Sequence, residues 1–292
     1  FMEIYLKGDL IVKHLNYFVI DEADKMMDMG FIPQIHKILE VIPRKRQNLL
    51  FSATMSQRVE NLAGDFLKFP TKVEVTQQAT PAETVSQVLY HVPNIRTKIN
   101  LMMHLLKDQE EVRKLIVFCK TKTTADNISK YLMRQYGEEQ VRVIHANKGQ
   151  NSRINAIKQF KNDDIRILVA TDVAARGLDV TDVSHVINFD VPLIYEDYVH
   201  RIGRTGRANK TGDAITFCTD AEKMHIEKIQ KLIRQQIPIA EIPADIKVTE
   251  TPYEERQAMA REIDEQKRKA DPTFKGAFHE KKNPFAKKAE KT

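Results

Sequence analysis

Cysteine is scarce in this sequence: Cys119 and Cys218 are the only two in 292 residues, and each lies inside an apolar run, LIVFC and AITFC. A thiol in such a run behaves as a small buried hydrophobe, so neither a disulfide framework nor a zinc site is expected. No apolar stretch approaches the roughly 20 residues that a membrane span requires, and no charged start leads into an apolar block that would direct secretion. The reading is therefore a soluble, cytoplasmic protein with no membrane partner. The chain begins with Phe1 rather than an initiator methionine, so a cut N-terminus is expected.

What is present suits one large or two moderate α/β domains, since 42% of the residues are hydrophobic. A net charge of +6 fits a polyanionic partner. Short runs rich in Val, Ile and Leu alternate with helical segments, the pattern of a parallel sheet wrapped by helices. YFVID (17–21), NLLFSAT (48–54) and KVEVT (72–76) read as strands of a first block at 1–76. The polar QQATPAET at 77–84 reads as a linker. Six further strands, VSQVLYHV, KLIVFCK, VRVIHA, IRILVAT, SHVINFD and DAITFC, with helices between most of them, make a doubly wound domain at 85–243. Residues 244–292 read as a charged tail, with a solvated helix at 254–269 and disorder in the last dozen residues.

Several strand ends carry chemistry. In YFVIDEAD an apolar run stops at Asp21, Glu22 and Asp24, where open α/β sheets bind ligands. An acid there can hold Mg²⁺ through water while a neighbouring Glu polarises the attacking water, or the acids simply begin a solvated turn. Ser52 and Thr54 close the next strand two residues apart and can bond the acidic loop, or act as local caps. VATDVAARGLD repeats the arrangement with Thr171, a tight turn at Arg176-Gly177, and Asp179 placed for a ribose or for a helix cap.

HRIGRTGR at 200–207 is the sharpest signal. Arg201, Arg204 and Arg207 repeat every third residue, and like charges so spaced call for an anion among them: a triphosphate, or nucleic-acid backbone. HANKGQNSR places Lys148, Gly149, Gln150 and Arg153 where a helix N-terminus offers backbone amides to a phosphate.

Taken in order, DEAD (21–24), SAT (52–54), IVFCKTK (116–122), QNSR (150–153), ATDVAARGLD (170–179) and HRIGRTGR (200–207) resemble the motif series of DEAD-box ATP-dependent RNA helicases. HANKGQ and RANKTGDAITFC look most like the bacterial RhlE subgroup. The resemblance implies two RecA-like domains that clamp ATP, Mg²⁺ and single-stranded RNA, bending one strand so that a short duplex opens. It assigns Asp21 to Mg²⁺, Glu22 to the hydrolytic water, and Asp24, Ser52, Thr54 and His200 to coupling. It assigns Asp179, with Gly177 beside it, to the nucleotide, Arg204 and Arg207 to the γ-phosphate, and Gln150, Arg153 and Thr171, with Lys148 and Gly149, to RNA phosphates.

One departure stands out. The chain contains no Gly-rich stretch ending in Gly-Lys-Thr or Gly-Lys-Ser, and no adenine-reading glutamine segment before it. Phosphoryl transfer is catalysed by positioning and electrostatics, so a fragment without that cradle is expected to be inactive alone. The competing readings are a non-catalytic RNA-binding or annealing module and a DNA helicase of the wider superfamily.

Overall fold

The computed structural model describes residues 1–28, 30–52, 55, 57–74, 84–175, 180, 183–206 and 211–276. The chain divides into two compact units, Phe1–Gln77 and Gln78–Thr292.

In the first unit, period-two alternation decides what is buried. Strand β1 (Tyr17–Ile20) pairs in parallel with β2 (Gln47–Leu50), Ile20 opposite Leu50. Tyr17 and Val19 face outwards, while Ile20 is buried with Ala23, Met27, Ile35, Val59, Leu62 and Phe66. Those partners come from α2 (Ala23–Asp28), α3 (Ile32–Val41) and α4 (Gln57–Phe66), and a short α1 (Met2–Leu6) precedes them. Pro33 stands in the first turn of α3, where its missing N–H has no helical acceptor to lose. The expected strand 48–54 stops at Leu50, and Lys72–Glu74 of the expected third strand join no sheet; Val75 and Thr76 lie outside the described residues.

Among the described residues, a two-stranded sheet over one cluster of seven buried apolar side chains makes a marginal core. Brief trypsin treatment is expected to degrade the first unit and leave a resistant fragment starting at Val73, the product of cleavage after Lys72, since the next lysine or arginine is Arg96. Mass spectrometry showing the reverse order of loss would contradict this.

Seven parallel strands form the second unit, in the order β5-β6-β4-β7-β8-β3-β9. They and their helices follow as β3 (Val85–His91), α5 (Ile95–Leu105), β4 (Leu115–Cys119), α6 (Lys122–Tyr136), β5 (Val141–Ile144), α7 (Gln150–Lys161), β6 (Ile167–Thr171), α8 (Asp172–Ala175), β7 (His185–Asn188), α9 (Tyr195–Ile202), β8 (Gly212–Cys218), α10 (Lys223–Ile233), β9 (Ile239–Ala240) and α11 (Tyr253–Ala270). Central strands β4, β6 and β7 are buried at every position, because helices cover both faces. Alternation then sorts the side chains. Leu115, Val117 and Cys119 join Leu101, Leu132 and Phe217 on one side; Ile116 and Phe118 join Phe160 and Val186 on the other. Both thiols are buried, and burial raises the Cys218 thiol to about 12. All six strands expected in this unit form; β9, two residues after Ile237, was not anticipated.

Residues 244–276 do not behave as a trailing tail. Ile246 is buried in the core cluster of β4 and α5. Asn94, which caps α5 by accepting the Thr97 N–H (2.8 Å), donates to Thr249 O (2.7 Å). Helix α11 forms where a solvated helix was expected, but it lies against the rest of the second unit: Glu255 accepts the Ile95 N–H (2.7 Å) and Gln266 donates to Ala221 O (3.0 Å). Side-chain hydrogen bonds to residues over 40 positions away dock it, a kind of contact that helical periodicity cannot reveal. The linker at 77–84, apart from Thr84, and the last dozen residues lie outside the described residues.

Candidate functional site

Three clusters collect the candidate residues. In the first unit, β1 runs into the core at Ile20 and the chain then turns sharply through the acids. Asp21 is exposed, and its carboxylate accepts the Glu22 N–H (2.8 Å). Glu22 adopts φ 51°, a left-handed conformation that costs a residue with a Cβ of the order of 1–3 kcal/mol. The loop is stitched to the end of β2: Phe51 N–H donates to Ile20 O (2.8 Å), Ala23 N–H to Phe51 O (3.0 Å), and Asp24 N–H to Ser52 Oγ (3.2 Å). The expected bond between Ser52 and the acidic loop is therefore present, although Ser52 sits beyond the strand rather than within it. Lys25 approaches Glu22 at 3.5 Å. Thr54 lies outside the described residues.

The second cluster lies at the C-terminal ends of β4, β5 and β6. Gly149 precedes α7 without a side-chain cap, so the first N–H groups of this 12-residue helix are left for an anion. Gln150 opens the helix, and Arg153 donates to Gln150 Oε1 (3.1 Å) and to Ala174 O (3.2 Å), joining α7 to α8. Thr171, the last residue of β6, stands opposite Cys119 in register. Lys148 Nζ lies 3.2 Å from Asp126, which also meets His145 Nε2 at 3.0 Å. Burial would raise the Asp126 carboxyl, but hydrogen bonds and charge from His145 and Lys148 outweigh it and hold the carboxyl below its usual range. Gln150, Arg153, Lys148 and Gly149 are thus brought together, with Thr171 one strand away.

HRIGRTGR forms the third cluster: Arg201 meets the ends of β6 and β7, whereas Thr205 and Gly206 lie at the opposite ends of the strands. Helix α9 carries its first part back along the sheet. Thr205 then bonds the carbonyls of Val183 and Ser184, just before β7 starts, and Gly206 lies against Val85 at the start of β3. Gly206 has φ +69°, and a Cβ there would come within 2.5 Å of Val85. Arg204 is half-buried and donates to His200 O (3.2 Å). Arg201 overturns the reading of three arginines around one anion. It is 2% exposed and grips Asp172 with both Nε (2.6 Å) and Nη2 (2.8 Å). It also donates to Asn188 Oδ1 and Asp190 O and stands over the Phe118 ring. A protein carboxylate 29 positions away supplies the counter-charge, so Arg201 holds α9 on α8 and is withdrawn from ligand. Gly177, Asp179 and Arg207 lie outside the described residues.

Sequence reasoning missed the Arg201–Asp172 pair and the buried lysine Lys98, which meets Asp190 and Glu222 between the ends of β7 and β8. A lysine or arginine on an otherwise apolar helical face was the available signal.

Comparison with known proteins decides the family. A family model described as DEAD/DEAH box helicase matches residues 2–62, and one described as helicase conserved C-terminal domain matches residues 97–209. The E. coli DEAD-box protein SrmB, solved bound to regulator of ribonuclease activity A, is 35% identical, with 57% of this chain covering 97% of that one at a TM-score of 0.52. This chain belongs to the DEAD-box helicase family. DEAD-box ATP-dependent RNA helicase 14 of Arabidopsis thaliana is 41% identical over 232 residues, 78% of this chain and 37% of that protein. The chain thus spans about two fifths of the length of the curated relatives it matches. The fold of this DEAD-box chain also matches S. cerevisiae Dbp5 bound to RNA and ADP BeF3, at 25% identity and a TM-score of 0.73 over 90% of this chain and 67% of that one. Its α/β units with parallel sheets are RecA-like.

Proposed function

We propose that this chain carries the later part of the first RecA-like domain (1–76), a linker (77–84), the complete second domain (85–243) and a charged C-terminal segment (244–292) of a cytoplasmic ATP-dependent RNA helicase. One observation carries the reading. In a member of this family, the acids at 21–24 follow directly on a strand that ends in the core and are bonded to Ser52 at the end of its neighbour, the place where an open parallel sheet binds a nucleotide.

Asp21 offers a single exposed carboxylate at the end of β1, and no group of three or more metal-ligating side chains occurs among the described residues. That donor set suits a hydrated Mg²⁺ held through water, which would supply charge neutralisation at the phosphates. Glu22 orients the hydrolytic water; Asp24, Ser52, Thr54 and His200 link hydrolysis to strand separation. Asp179, with Gly177 allowing the turn, takes the nucleotide sugar, and Arg204 and Arg207 offset charge on the γ-phosphate. Gln150, Arg153 and Thr171, with Lys148 and Gly149, hold RNA backbone, so recognition is tolerant of sequence. The bacterial RhlE subgroup is the finer assignment; HANKGQ and RANKTGDAITFC support it, and the plant and yeast relatives lend it nothing.

Residues 1–292 alone are expected to release no phosphate from ATP with or without RNA, yet to bind a labelled oligouridylate. Lys148→Gln should weaken that binding several-fold and flatten the log-log salt slope by about 0.7, the share of one single-strand phosphate contact. RNA-stimulated phosphate release would overturn the inactivity, and salt-independent binding indifferent to Lys148→Gln would overturn the RNA cradle.

A further inference from the structure

The rim that holds Lys148 and Thr171 carries another cation with no role so far. Lys120 directly follows β4, whose last residue, Cys119, stands opposite Thr171. The Lys120 N–H donates to Asp190 Oδ2 (2.9 Å), which fixes where its side chain starts. Two residues on, Lys122 reaches Asn147 Oδ1 (3.4 Å), the neighbour of Lys148. Lys120, Lys122 and Lys148 therefore line one rim of the sheet. The ammonium of Lys120, however, is occupied by Glu262 of α11, 2.8 Å away.

Helix α11 is held there by weak means. Asp264 is its only fully buried residue, its apolar Met259, Ala260 and Ile263 are only partly buried, and polar contacts help to dock it: Glu255 with the Ile95 N–H, Gln266 with Ala221 O and, at 3.1 Å, with His225 Nε2. An element with no fully buried apolar side chain opens locally at smaller cost than one rooted in the core. The ion pair itself is half-exposed, with side chains 35% and 38% accessible, and pairs of that kind contribute little net stability. A carboxylate on a lysine is also what a backbone phosphate would replace with the least rearrangement, since an ammonium bonds either anion as a point charge.

We propose that Lys120 is a further RNA-phosphate ligand and that Glu262 holds α11 over it as a displaceable stand-in for the phosphate. This rests on the RNA reading of the same rim given above. The helix then sets a threshold: RNA engages Lys120 only by displacing Glu262, so the charged C-terminal segment tunes affinity from within the chain.

Oligouridylate affinity and its salt dependence, measured on residues 1–292, test this. Glu262→Gln should tighten binding about twofold to fivefold, the worth of a half-exposed ion pair. It should also steepen the salt slope by about 0.7, one additional phosphate contact. Glu254→Gln, an equal charge change on an exposed residue of the same helix, should leave affinity unchanged within error. Lys120→Gln should do little in the parent chain, where Glu262 occupies the ammonium, and should erase both gains in the Glu262→Gln background. The proposal is overturned if Glu262→Gln has no effect, if Glu254→Gln matches it, or if Lys120→Gln fails to reverse it. If Lys148→Gln weakens binding while Glu262→Gln does not strengthen it, the shield falls and the RNA cradle stands. If the chain binds no oligouridylate, both fall together.

Discussion

Replacing Lys98 with methionine is expected to lower the unfolding free energy of the second unit by about 3–5 kcal/mol, the usual result of stripping one partner from a buried ion pair. Lys98 is 2% exposed on α5, and its Nζ donates to Phe189 O (2.7 Å), Glu222 (3.0 Å) and Asp190 (3.2 Å). Methionine keeps the apolar stem but leaves Glu222, itself buried, without the ammonium that was its ion partner at 3.0 Å. Glu222 still receives the Val191 N–H (2.9 Å) and the Thr219 N–H (2.9 Å), which soften the loss without replacing the charge. Urea unfolding followed by circular dichroism measures the change, and a loss below about 1 kcal/mol would be incompatible with a desolvated pair. Adding Glu222→Gln should restore part of the loss, because the two positions are in contact and their effects are not additive.

The pair also fixes how stability follows pH. Burial would lower Lys98, but Glu222 and Asp190 raise it above its ordinary 10.5. Burial would raise Glu222, but the Lys98 charge and backbone N–H groups hold it below its ordinary 4.5. A depressed carboxyl contributes stability that is complete above 4.5 and is lost as pH falls through the folded value; a raised amine contributes stability that is complete below 10.5 and is lost at higher pH. With Lys98→Met the acid limb reverses, since a buried carboxylate without a counter-charge takes up a proton more readily than in the unfolded chain. The gap between parent and variant should therefore narrow as pH is lowered towards about 4.

On the role proposed for Arg204 as an arginine finger, Arg204→Ala is expected to reduce RNA-stimulated ATP hydrolysis about 1000-fold in a form of the protein that includes a phosphate-binding loop, the lower end of what such a finger contributes. The surroundings of Arg204 are built to hold it: Nε is tethered to His200 O, Thr205 is fastened to Val183 and Ser184, and Gly206 takes a backbone conformation that a side chain would strain. Arg204→Lys should recover little, because an ammonium cannot reproduce the planar fork. Steady-state phosphate release with saturating RNA separates the cases. A variant with intact kcat and only a raised KM would remove Arg204 from the transition state and leave it as a binding residue.

Legibility followed how local the cause was. The strands of the second unit could be read because a parallel strand covered on both faces must be apolar throughout, as LIVFC and ILVAT are. Their spatial order could not, since each pairing is chosen by partners distant in sequence. Glycines in HRIGRTGR and acids after YFVI announced special loops, yet nothing in the spacing of Arg201, Arg204 and Arg207 marked the first as structural, because its partner Asp172 belongs to another motif. Helix α11 was legible as a helix from its Glu, Arg and Lys pairs. Its docking was not, because it depends on single polar contacts with Lys120, His225 and the Ile95 N–H.

Strand β9 has a consequence for the protein at high concentration. It contributes only Ile239 and Ala240 to the margin of the large sheet, between Pro238 and Pro243, and the β3 residue Leu89 spends its N–H on Pro238 O (2.8 Å). Proline has no N–H to offer a newcomer, and two residues are too short a template for intermolecular pairing. Along this border the fold discourages self-association through added strands, even with Ile239 largely uncovered.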